Sequence, residues 1–386
     1  MNQPSIHRER ELRAKNVSLT RFVVYFLRLG TVGFGGPIAL AGHMQQDLVD
    51  EHGWVSQQDY VEGLALAQLA PGPLAAQLAI YLGYIRGGIL GATAVGAAFI
   101  LPSFLMVLAL SAAYVRFGGL AWMQGMFYGI GAAVIGIITR SAFKLTKLTL
   151  GKDKLLWGVF VVLAISTAWT SKEIIWLFLL GGVVAVLVKA LPKSARASST
   201  ALLLIASGAF PATGILWEIF LYFAKAGMFV FGSGLAVVPF LYGGVVQGHH
   251  WLTDQQFVDA VAVAMITPGP VVITVAFIGY LVAGVAGATT AALGIFLPVY
   301  LVVVILAPSY KRWARNPQLN AFVRGVTAAA TGAIAGAVVV LARRSIYDLP
   351  TAAIALASLA VLFRWKIPEP LVIACAAAAG LLLRHP

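Results

Sequence analysis

The chain has 386 residues, of which 60% are hydrophobic and only 11% charged, against roughly 25% charged in a soluble domain. With a mean hydropathy of +0.90, that composition excludes a soluble fold and predicts an all-α polytopic membrane protein. The 27 Lys and Arg exceed the 14 Asp and Glu by 13, a surplus expected of basic cytoplasmic loops rather than of nucleic-acid binding.

The chain opens on a polar, basic stretch, and no small-residue cleavage site follows the first apolar run. A removed signal peptide is therefore not expected. Apolar runs follow near 18–41, 62–85, 87–114, 121–139, 155–170 and 174–190. If every run crosses from a cytoplasmic N-terminus, the inner joints hold Arg86, Arg140, Lys144, Lys147, Lys152, Lys154 and Lys189, and the outer joints only Arg116 and Lys172. That is a positive-inside pattern, consistent with a multi-pass protein of the inner (plasma) membrane. The lone cysteine, Cys375, lies in an apolar run, so neither a disulfide framework nor a thiolate metal site is expected. The small-polar and basic stretch 191–200 reads as a linker, and the apolar run 201–214 as an extra span or part of that linker.

A second set of runs, near 215–241, 257–282, 285–307, 321–341, 351–363 and 369–383, copies the first. An offset of 197 takes Gly30 to Gly227, Phe34 to Phe231, Trp54 to Trp251, Gln58 to Gln255, and Pro71-Gly72-Pro73 to Pro268-Gly269-Pro270. After one deletion an offset of 196 takes Gly83-Tyr84 to Gly279-Tyr280, Gly88 to Gly284, and Leu101-Pro102 to Leu297-Pro298. Chance does not produce this register. The expected organisation is an N-terminal repeat over 1–190, a linker over 191–214 and a C-terminal repeat over 215–386. Duplicated halves are typical of secondary transporters, whose substrate site lies between the repeats. The C-half charges favour inverted halves, because inversion puts Lys311, Arg312, Arg315, Arg364 and Lys366 inside and only Arg343, Arg344 and Arg384 outside. Ten to thirteen crossings are then expected in total.

The strongest constellation is Pro-Gly-Pro within an apolar run, at 71–73 and 268–270. Two prolines remove two backbone donors and clash with the preceding turn, so a broken helix is expected in each half. Broken backbone at membrane depth is tolerated only in buried or cavity-lining positions. The restarting helix aims free N–H groups and its positive dipole end into that space, an anion site built from Leu74, Ala75 and Ala76 and from Val271, Val272 and Ile273. A second constellation, Gly33-Phe34-Gly35-Gly36-Pro37, has its partner in Val230-Phe231-Gly232-Ser233-Gly234. Glycines this dense serve either close helix contact or backbone exposed to a ligand.

Arg28 and Lys225, 197 apart, are intramembrane cations suited to neutralising an anion, the alternative being snorkelling to an interface. Glu62 and Asp259 stand at the mouths of the two Pro-Gly-Pro runs as proton-coupling candidates, the alternative being helix N-terminal acids. Gln77 and Thr274 are candidate donors to oxyanion oxygens. No Walker, dinucleotide, zinc-protease or nucleophile-elbow pattern occurs. No enzyme activity, catalytic residue, cofactor or metal is therefore expected.

The FGGP near the first run, the APGPLA of the second, and their echoes FGSG and TPGPV resemble the chromate ion transporter family over nearly the whole chain, in its long two-domain form. The resemblance implies inverted halves and efflux of chromate with chromate resistance, sulfate being the close structural analogue. It falls on Gly33 to Pro37, Trp54, Pro71 to Pro73, Gly83-Tyr84 and their register partners. The expected partners are a small inorganic oxyanion, the lipid bilayer and, as an open alternative to a monomer, a second copy in a homodimer. A sulfate or other oxyanion transporter, or an anion channel of the same architecture, is the alternative function.

Overall fold

A computed structural model of the protein describes residues 17–34, 36–117, 121–170, 175–190, 214–229, 237–309, 316–365 and 367–383. These form fourteen α-helices, the second seven repeating the first.

Helix α1 (Leu19–Val32) starts at Ser18, whose hydroxyl accepts the Arg21 N–H at 3.3 Å. Its 14 residues reach about 21 Å, short of the ~30 Å hydrocarbon core. Past Gly33 the chain turns, and α2 (Gly36–Gln45) runs back into a π-helical turn, Gln46–Glu51. The Tyr25 hydroxyl donates to Asp47 at 2.9 Å, and the Trp54 ring rests against Phe22 and Tyr25. The second hairpin pairs α3 (Gln57–Leu69) with the first arm of α4 (Leu74–Phe117), with Pro-Gly-Pro at its tip and Gly63 against Leu78 and Tyr81. The chain reverses at Gly88, where φ of +59° suits glycine, and the arm 89–117 runs the full depth.

The runs at 18–41 and 62–85 therefore turn back midway instead of crossing. Hydropathy cannot tell two half-length helices in one apolar run from a single span. The second half repeats the design. Helix α8 (Ile215–Phe229) lies beside α9 (Val237–Tyr242) and its π turn Gly243–Gly248. Helix α10 (Asp254–Ile266) meets Pro-Gly-Pro, a short 3₁₀ turn and α11 (Thr274–Leu306), which reverses at Gly284, again at φ +59°. With four runs folded into hairpins, eight elements run between the two faces among the described residues, fewer than the ten to thirteen crossings expected. Among the described residues four helices are long and apolar enough to span a bilayer. Arg140 and Lys144, expected in a joint, lie inside one of them, α5 (Ala121–Leu150).

The packing directions establish inversion. Helix α6 (Lys154–Thr170) lies parallel to α12 (Pro317–Ser345), with Phe160 at Gly332 and Ala164 at Gly336. Helix α13 (Leu349–Arg364) lies parallel to α5, with Asp348 bonded to Tyr128 and Phe363 on Phe143. Helix α7 (Ile175–Lys189) returns beside α6, closed by a Lys189–Asp153 ion pair, and runs antiparallel to α12; α14 (Glu369–Leu383) runs antiparallel to α5. The register partners α5 and α12 therefore point oppositely. One face carries Arg86, Lys152, Lys154 and Lys189, and the basic stretch at Arg364 returns to it, as expected for inversion. Ala190 ends the first half on that face and Gly214 opens the second on the other; the run 201–213 lies outside the described residues.

The halves also interlock. Helix α5 packs on α13 and α14 of the second half, and α12 on α6 and α7 of the first. At these crossings glycines bring backbones together, Gly129 on Ala376 and Gly325 on Gly181. Single cysteines introduced near Trp54 and Trp251, with Cys375 replaced, are expected to react with an impermeant thiol reagent from opposite faces. Labelling of both from one face contradicts the inverted fold.

Candidate functional site: two broken helices at one mid-depth junction

Pro71 and Pro73 supply no donors, so α3 ends at Leu69, and Gly72 takes φ +139°. The α4 ladder resumes with the Gln77 N–H on Pro73 O at 3.0 Å, leaving the N–H groups of Leu74 to Ala76 ahead of it at the helix N-terminus. Gln77 is fully buried. Its side-chain amide donates to Pro71 O at 2.7 Å and to Ala70 O at 3.2 Å. Both amide hydrogens are thus committed to the loop, which corrects the expectation that Gln77 donates to an oxyanion. It caps the carbonyls that the helix break leaves over. Thr274, its register partner, likewise spends its hydroxyl proton on Val271 O at 2.7 Å. In the second half Ile273 N–H is taken by Pro270 O at 2.9 Å, so of the three expected donors there Val271 and Val272 stand ahead of the ladder.

Each Pro-Gly-Pro packs on the opposite half. Gly269 N–H donates to Gly33 O at 2.8 Å. Ser103, buried halfway along the 89–117 arm, donates to Pro268 O at 2.7 Å. Gly72 lies against Val299, which stands where the repeat would place the counterpart of Ser103. The tip Gly33–Pro37 of one half is thereby tied to the Pro-Gly-Pro of the other. Gly36 begins α2 at φ +75°. Gly35, Phe231, Gly232, Ser233 and Gly234 lie outside the described residues.

Two cavities meet at this junction. The first, about 800 Å³, is lined by Arg21, Arg28, His43, Trp54, Gly33 and Phe34 among others. Arg28 is exposed into it, whereas Lys225 is exposed on α8 and lines neither cavity, so the structure does not bring the two cations together. The second, about 510 Å³, runs from Phe34 and Pro37 to Met265 and Val271, which bracket the second Pro-Gly-Pro, with Arg140 and Lys144 on its wall. Phe34, 39% exposed, borders both. Both cavities reach residues of the basic face, Arg21 and Glu51 in one and Pro368 in the other.

Glu62 is half-buried and accepts from Gln58 at 3.0 Å. Asp259 repeats that bond with Gln255 at 2.8 Å but is 3% exposed, and Tyr114 of the first half's long arm adds a second donor at 2.8 Å. The repeat thus holds one carboxylate at an accessible position and the other in the seam between the halves. Among the described residues no group of three or more His, Cys, Asp or Glu is placed to hold a metal ion.

Arg140 and Lys144 are the residues that sequence reasoning assigned to topology instead of the site. A signal was present: offset 196 pairs them with Gly336 and Val340, so these cations break the repeat.

A family model described as "Chromate transporter" matches the chain twice, over residues 20–186 and 217–381. A "Chromate transport protein" of Cupriavidus metallidurans is 60% identical over 96% of both chains. A "Probable chromate transport protein" of Synechococcus elongatus is 56% identical over 95% of both, and a "Chromate transport protein" of Pseudomonas aeruginosa 32% identical over 95% of this chain and 93% of its own. No solved structure matches. The chain belongs to the chromate transporter family.

Proposed function

We propose, on the premise of that membership, that the protein is a secondary transporter that exports chromate across the inner (plasma) membrane, driven by an ion gradient, and so confers chromate resistance. The observation that carries the reading is the Gly269–Gly33 bond, which joins the broken helix of one inverted half to the glycine tip of the other beside two cavities, one lined by Arg21 and Arg28 with Asp47 and Glu51, the other by Arg140 and Lys144 with Glu369. A dianion stripped of water is costly to hold in hydrocarbon and needs both charge and donors. Arg28 and Arg21 attract it from the basic face, taken as cytoplasmic. Helix N-termini at Leu74–Ala76 and Val271–Val272 receive it with backbone N–H groups. Asp259, buried between the halves, and Glu62, its accessible counterpart, are the coupling carboxylates. The inverted halves present the junction alternately to each face. Sulfate shares the charge and shape and enters as a competitor.

The test is counterflow in proteoliposomes loaded with unlabelled chromate. Labelled chromate is expected to accumulate inside above its external concentration, and external sulfate to reduce its entry. Equilibration without accumulation would mean an anion channel instead.

A further inference from the structure

The wall of the second cavity carries a charge arrangement that the family assignment does not explain. Arg140 lies ten residues before the end of α5, about 15 Å along the helix. It is only partly exposed, and Phe143 between the two cations meets Phe363 at the end of α13, so the pair lies level with the α13–α14 connection on the basic face. Lys144 is one turn further on, on the same face. Two like charges four residues apart disfavour each other, yet among the described residues neither is within ion-pair distance of a carboxylate. Glu369, the first residue of α14, is the carboxylate on the same cavity wall. The rest of the lining supplied by α2, α10 and Val271 is uncharged, Pro37, Ile38 and Met265 among it.

We propose that Arg140 and Lys144 form the loading site for the tetrahedral dianion on the basic face, and that Glu369 is a built-in competing anion holding the empty site near charge balance. This deepens the proposed function and rests on it. With Glu369 ionised the cluster carries +2 − 1 = +1, and a bound dianion would take it to −1. With the carboxylate removed, two cations meet one dianion at zero. Arg140 offers the forked donors that match an oxyanion edge, and Lys144 a point charge. Beyond them the cavity leads to Val271, the first residue after the second Pro-Gly-Pro, so an anion released from the cations passes directly to a helix N-terminus. Neither cation has a counterpart in the second half, so the loading site exists on one face only.

The test is equilibrium dialysis of labelled chromate against the full chain in detergent, at about pH 8, where chromate is a dianion. Arg140→Gln is expected to weaken binding tenfold or more, with Arg140→Lys recovering part of the loss. Glu369→Gln is expected to tighten binding severalfold, a gain that a merely structural role for Glu369 would not produce. Parental affinity in Arg140→Gln, or unchanged or weaker binding in Glu369→Gln, overturns the assignment and leaves the transporter reading standing. Failure of the parent chain to bind chromate at all overturns both.

Discussion

Gly269→Ala is expected to abolish chromate transport and to destabilise the protein by roughly 2–5 kcal/mol, the sum of backbone strain at a positive φ and of overpacking. The backbone at residue 269 sits at φ +97°, and an added Cβ would land on the Ser103 hydroxyl. Because that hydroxyl donates to Pro268 O, and the residue 269 N–H donates to Gly33 O, displacement here breaks the contact between the halves at the junction itself. Gly72→Ala is the informative comparison. There the added carbon meets the buried side chains of Gln77 and Val299, but the crossing hydrogen bonds at Gly269 and Pro268 stay in place, so a smaller loss is expected. Pairing Gly269→Ala with Ser103→Gly should recover the steric part of the defect but not the backbone strain. Flux in proteoliposomes and thermal unfolding in detergent read these effects; parental flux in Gly269→Ala would show that the junction need not be held closed.

Separated halves, residues 1–190 and 191–386, are expected to be unstable alone, with folded yield at least tenfold lower, and to recombine when produced together. The reason lies in the exchange of partners. Helix α5 finds its closest neighbours in α14 and α13 of the other half, and α12 finds its own in α6 and α7. Without the other half, Gly129 and Gly325 expose backbone that normally lies on Ala376 and Gly181. Transmembrane association depends on such close contact, since lipid supplies no hydrophobic drive between helices. Size-exclusion profiles of each half, alone and together, decide it; a monodisperse, folded single half would mean that the exchanged contacts are dispensable.

The repeat carried more of this architecture than hydropathy did. Offset 197 takes α3, 57–69, onto α10, 254–266, and the π turn 46–51 onto 243–248 without a residue of slippage. That agreement follows from one chain pattern folding twice under the same local constraints: Ser56 and Thr253 cap equivalent helices, and Gly88 and Gly284 hold the same left-handed turn. Hydropathy misjudged the four hairpins because a span and two antiparallel half-helices have the same average polarity. The helix breaks at Pro-Gly-Pro were legible because proline chemistry is local. The commitment of Gln77 to Ala70 and Pro71, and the place of Arg140 on a cavity wall, were not legible, because both depend on which carbonyls and which helices the fold brings near.

The substitution of Val299 for a second Ser103 bears on how the molecule divides its time. Two inverted halves of identical sequence would make the conformer described and the one with the two halves' conformations exchanged equal in free energy, the two being related by the two-fold axis. Here one Pro-Gly-Pro is held by a buried hydroxyl and the other meets a valine that has no proton to donate. A hydrogen bond of this kind contributes about 0.5–1.5 kcal/mol net, which corresponds to a population ratio of roughly twofold to tenfold. The described conformer, in which both cavities reach the basic face, is favoured by that ratio over any in which the proposed alternation parts Ser103 from Pro268.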